Sequence, residues 1–70
     1  MWEFWYKRHK DAPEGGEAYD DSHVAEMDNQ DAANQVYDFY DGSMIKQLWV
    51  ESGGTWTQGI RDPDGNEVDR

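Results

Sequence analysis

Seventy residues with a formal charge of −10, from 16 Asp and Glu against 6 Lys and Arg, make one domain spanning residues 1–70, with no length left for a second. The lack of cysteine excludes disulfides and thiolate metal sites, and no run approaches the ~18 apolar residues of a membrane span. The acid surplus disfavours nucleic acid and anionic membrane as direct partners and favours basic surfaces. So small a chain buries little of its surface and usually needs a staple. With disulfides excluded, burial against a partner takes that place.

The N-terminus reads MWEFWYKRHK. Trp2, Phe4 and Tyr6 alternate with Glu3, Trp5 and Lys7, the period of a strand, and aromatic residues suit one. Residues 2–8 are expected to form the first strand, with Trp2, Phe4 and Tyr6 facing a core and Trp5 left on the far side. The apolar part precedes the basic part, the reverse of a secretory signal, so a cytoplasmic protein is expected. Lys7, Arg8 and Lys10 end the strand, where they can pair with acids such as Asp11 or Glu14 and keep an edge from joining other chains. The segment HKDAPEGGEAYDDS, with Pro13, Gly15 and Gly16, reads as a long loop. A weak second strand is expected around His23–Met27.

Asp28 is a candidate N-cap, and Asp31 three residues on resembles a capping box. Gly42 suits the position that ends a helix. Between them Ala32, Ala33, Val36, Tyr37, Phe39 and Tyr40 fall in one arc of the helical wheel. Asp31, Asn34, Gln35, Asp38 and Asp41 fill the opposite arc. The spacing predicts an amphipathic helix with an aromatic inner face and an acidic outer face.

Two β-rich runs then flank Gly53-Gly54, a pair suited to a two-residue hairpin turn. In that register Trp49 faces Gln58 and Glu51 faces Trp56. Ile45, Trp49, Trp56 and Ile60 would share one face, with Met44, Leu48 and Val50 on the other. The stretch DPDGN predicts a type I turn at Pro63-Asp64 with left-handed Gly65, before a short edge strand. The order β-β-α-β-β, with a possible fifth edge strand, predicts an α+β fold: one amphipathic helix packed on a small antiparallel sheet.

One helix covers one face of such a sheet. If it covers Met44, Leu48 and Val50, then Ile45, Trp49, Trp56 and Ile60 stay open with Trp5; if it covers the tryptophan face, the aliphatic trio stays open. Such patches mark interfaces. Trp5, Trp49 and Trp56 are therefore candidate apolar anchors, tryptophan being a common hot-spot residue. They would equally serve a homodimer built through an exposed sheet face. Asp31, Asp38 and Asp41 on the helix, with Asp20 and Asp21 before it, are candidates for an acidic partner-binding face. A row of carboxylates imitates duplex phosphates. A solvated helix face or adaptation to a salty cytoplasm would also produce it.

Enzymatic chemistry finds little footing. His9 and His23 are too isolated to argue a zinc site. The serines lack a nucleophile elbow, and there is no phosphate loop. Asp62, Asp64 and Asn66 do not follow the spacing of a calcium loop. No catalytic residue, metal or cofactor is expected. The aromatic and cationic residues at the N-terminus suit single-stranded nucleic acid, but the net charge opposes it.

Two resemblances add to this reading. DPDGN resembles the closing hairpin of glyoxalase-type vicinal oxygen chelate modules. In that family a carboxylate soon after this turn binds metal, and Asp69 sits near that place, although the first strand offers no matching early ligand. MWEFWYK, VAEMDNQDAANQVYDFYDG and MIKQLWVESGGTWTQGIRDPDGNEV together resemble small phage-encoded anti-CRISPR and related anti-defence proteins. That resemblance covers nearly the whole chain as a pattern, without a diagnostic motif. It implies a stoichiometric inhibitor that binds a nucleic-acid-binding defence complex in the host cytoplasm.

Overall fold

A computed structural model describes residues 1–70. The chain forms strand β1 (Trp2–Lys10), strand β2 (Tyr19–Met27), helix α1 (Gln30–Asp41), helix α2 (Met44–Glu51), strand β3 (Thr55–Arg61) and strand β4 (Glu67–Val68). The strands make one antiparallel sheet in the order β2-β1-β3-β4. This is the expected α+β fold, with a second helix where a strand was expected.

β1 and β2 form a longer hairpin than the sequence suggests. Their register runs without a break from Trp2↔Met27 to Lys10↔Tyr19. Asp20 and Asp21 are poor strand formers, yet they sit opposite His9 and Arg8, where opposite charges favour pairing. The basic cluster at the end of β1 thus extends the hairpin. The loop closes with a turn in which the Gly16 N–H donates to the Pro13 carbonyl at 2.8 Å. Gly15 there has φ +78°, as the third position of a type II turn demands.

Even-numbered residues of β1 face α1. Phe4 is fully buried, with Ile60 of β3 and Ala33 of α1. Phe4 stacks on Tyr40 at 5.2 Å between centroids and meets Tyr37 edge-on at 6.3 Å. Tyr6 stacks on Trp56 at 4.5 Å. The core is a layer of aromatic rings between helix and sheet, as the alternation in β1 predicted. Asn29, rather than Asp28, caps α1: its side chain accepts from the Ala32 N–H at 2.8 Å. Gly42 ends α1 as expected.

Residues 44–51 are helical, which overturns the expected hairpin and its register. The Ser43 hydroxyl accepts from the Lys46 N–H at 3.2 Å and caps α2. The Gly53-Gly54 pair ends a helix. The Gly54 N–H donates to the Trp49 carbonyl at 3.0 Å and the Gly53 N–H to the Val50 carbonyl at 3.1 Å, the paired bonds of a Schellman motif. Gly53 takes the left-handed φ of +98° that this motif needs. A hairpin turn demands positive φ too, so the glycines fit both readings. After β3 the expected turn is present. Gly65 has φ +86°, and the Asp62 carboxylate accepts from the Asp64 and Asn66 N–H groups at 2.9 and 3.0 Å.

Candidate functional site

The three tryptophans offered as anchors are each engaged within the chain. Trp5 lies on the sheet face away from α1. Its indole N–H donates to Glu67 at 3.2 Å, and Lys7 and Arg61 sit over its ring at 5.6 and 5.4 Å. Trp56 lies beneath α1: its N–H donates to the Gln58 side chain at 2.8 Å, and Gln58 in turn donates to the Tyr37 carbonyl at 3.0 Å. Trp49 projects from α2 onto the far end of the β1–β2 hairpin. Its N–H donates to the Thr55 carbonyl at 2.9 Å. Arg8 and Lys10 lie 4.7 and 4.5 Å from its ring centre, and Tyr19 packs at 5.3 Å. Trp49 and Trp56 are therefore not diagonal neighbours on a sheet, because Trp49 is on a helix.

Four of the five proposed acidic residues also have partners. Arg8 grips Asp21 with two nitrogens, Nε at 2.9 Å from Oδ1. The guanidinium and the Tyr19 hydroxyl hold the Asp21 carboxyl down at about 2. Asp20 accepts from His9 Nδ1 at 2.6 Å while Asp11 lies 2.9 Å from Nε2. Hydrogen bonds to Asp11 and Asp20 raise the His9 pKa, so the ring favours its doubly protonated form. Asp38 holds Arg70 at 2.9 and 2.5 Å, which lowers its pKa. Asp41 binds Lys46 at 2.8 Å. Asp31, in the first turn of α1, makes no ion pair.

Together these contacts have a consequence for the whole surface. Arg8, Lys46, Arg61 and Arg70 are paired with carboxylates, and Lys7 and Lys10 lie over tryptophan rings. Every Lys and Arg of the chain therefore has an intramolecular contact, although exposed Lys7 keeps its charge at the surface. Glu14, Glu17, Glu26, Asp28, Asp31, Glu51, Asp62, Asp64 and Asp69 make no ion pair. Of these, Glu26, Asp28, Asp31, Asp62 and Asp64 gather at one end of the sheet, because Met27 and Arg61 flank Trp2 and Glu3 of β1. The outward charge is acidic, and densest where β1 begins.

Of the two expected patches it is the aliphatic residues Met44, Leu48 and Val50, and not the tryptophans, that are exposed, though on a helix and joined by Ile45. Met44, Ile45 and Leu48 form a stripe on α2, exposed by 65, 52 and 57%. Their spacing is helical, a signal hidden by the strand reading. Phe39, placed at the edge of the inner arc of α1, is 68% exposed. No group of three or more His, Asp or Glu side chains is arranged to hold a metal ion. Asp69 is exposed beyond β4. No helix is long and apolar enough to cross a membrane.

No protein-family description, curated protein or solved structure matches this chain significantly.

Proposed function

We propose that this chain is a small, non-enzymatic binding protein that occupies the basic, nucleic-acid-binding surface of another protein. The observation that carries this reading is the internal engagement of all six Lys and Arg residues, against nine carboxylates free of ion pairs. A surface of one sign steers a partner of the opposite sign and repels nucleic acid itself. The small buried core, with Phe4, Ile60 and Ala33 its apolar members, is consistent with further burial on binding. Following the pattern resemblance to anti-defence proteins, we take the partner to be a bacterial defence complex met in the host cytoplasm.

Residue roles follow the ion pairing. Asp31 belongs to the free acidic end with Asp28 and Asp64, whereas Asp38, Asp41, Asp20 and Asp21 support the fold first. Reversing Asp28, Asp31 and Asp64 to Lys together should weaken partner binding by at least about tenfold and flatten its salt dependence. Reversing Asp38 alone would also break its pair with Arg70, so it is the poorer test. Unchanged affinity in the triple variant would remove this end of the sheet from the interface.

A second reading, self-association, is favoured by the α2 stripe of Met44, Ile45 and Leu48. Light scattering on the wild type and on Leu48→Ser distinguishes it: a dimer lost on substitution supports it, and a monomer rejects it.

A further inference from the structure

β2 is the outer strand of the sheet, and its nine residues pair with β1 on one side only. No turn, loop or cap hydrogen bond reaches its outer N–H and C=O groups. Long edges of this kind are normally blunted by charged side chains, lysine above all, by proline, a bulge or a covering segment. The charges on β2 are all acidic, which repels acidic chains and leaves the edge open to basic ones. β2 has no lysine or proline, and its register with β1 has no bulge.

The two sides of this edge differ in chemistry. Toward α1 runs a groove lined by His23, Ala25 and Met27 of β2 and Ala32, Val36 and Phe39 of α1. Phe39 stands over it, mostly exposed. On the opposite side of the sheet the edge carries Asp20, Ser22, Val24 and Glu26, with an acid near each end. Neighbouring residues of an added strand point to opposite faces. One set would enter the apolar groove and the other would lie beside Asp20 and Glu26.

We infer that β2 takes up an extended peptide of alternating apolar and basic residues, as an added strand. Its apolar side chains lie against Val36 and Phe39, and its Lys or Arg side chains lie beside the unpaired Glu26, with Asp20, already held by His9, the weaker second site. This rests on the reading of the chain as a binder of basic partners, and adds the mode and the place. Charge decides against a second copy. Fully overlapped two-fold pairing of β2 with itself centres on His23 and sets Asp20 against Glu26 twice. Like charges directly opposite are destabilising, and each copy carries −10.

The test uses two synthetic peptides of the length of β2. One alternates valine and lysine; the other has the same composition with its lysines in one block. Affinity is read by fluorescence anisotropy, and amide hydrogen exchange is followed along residues 19–27. The alternating peptide should bind at least about tenfold more tightly than the block peptide and slow exchange at the outer amides of β2. Phe39→Ala and Glu26→Lys should each weaken it, and both residues are exposed, so the fold survives. Equal binding of the two peptides without protection of β2 would overturn edge pairing and leave the acidic-surface reading standing. Failure of both peptides would also overturn it, while the charge-reversal experiment judges the broader reading separately. Protection of β2 by self-association, seen without peptide, would replace the proposed occupant and so overturn the inference.

Discussion

At the scale of single residues, two glycines decide where two indoles lie. A Cβ on Gly54 would stand 2.5 Å from Cε2 of Trp49, and one on Gly59 would stand 2.8 Å from Cζ2 of Trp5. Both rings are rigid, so the neighbour must shift as a whole. Gly54→Ala should cost about 1–3 kcal/mol, the range for overpacking, and move Trp49 off the Thr55 carbonyl. Denaturant unfolding with tryptophan fluorescence reads both effects. Gly53→Ala is the control: it meets open space at φ +98°, so only the left-handed penalty of about 1–2 kcal/mol applies. The hairpin end also carries a pH signature. His9 has a raised pKa, so its contribution is complete below the ordinary value of about 6.5 and is lost as pH rises through the folded value. Asp21, held at about 2, contributes above the ordinary carboxylate range and loses that contribution as pH falls toward 2. Thermal stability should therefore be greatest on the acid side of neutrality, above pH ~4. In His9→Gln the decline from there toward pH 8 should be reduced. A wild-type profile still rising at pH 8 would contradict the charged bridge from Asp11 to Asp20.

At the scale of elements, β1 and α1 hold the core, and Phe4 is their common residue. Phe4→Ala should cost about 3–5 kcal/mol, enough to unfold so small a domain at room temperature, as circular dichroism would show. These two elements were legible in the sequence, because period 2 and period 3.6 are written there in large aromatic residues. The turn at Asp62–Asn66 was legible for a different reason: Pro63 and Gly65 each suit one backbone conformation. Two features were not. The start of β2 is acidic, and it is a strand because Arg8 and His9 face it across the hairpin, a fact of tertiary pairing. α2 carries Ile45, Trp49 and Val50, which suit strands. Its helical state rests on the Ser43 cap and the Schellman end at Gly53-Gly54. That error affected the candidate site as well: Trp49 became an internal contact, and the aliphatic residues Met44, Leu48 and Val50, the other expected patch, stay exposed on a helix beside Ile45. The acid surplus could be counted from the sequence, but the register and the ion pairs decided which acids remain free.

At the scale of the whole molecule, unpaired acids outnumber unpaired cations at the surface, and this has a cost without a partner. Self-repulsion destabilises a compact acidic chain, and salt screens it within about 10 Å at 0.1 M. The melting temperature should therefore rise with sodium chloride, while partner affinity falls. A melting temperature that drops as salt is added would mean that the internal ion pairs outweigh the repulsion among free acids. The experiment closest to the central claim is capture of partners from a bacterial lysate on the tagged chain, with and without excess duplex DNA. The account predicts a nucleic-acid-binding protein that is retained at low salt and displaced by the duplex. A partner whose retention is indifferent to duplex DNA, or the absence of any retained protein, would contradict it.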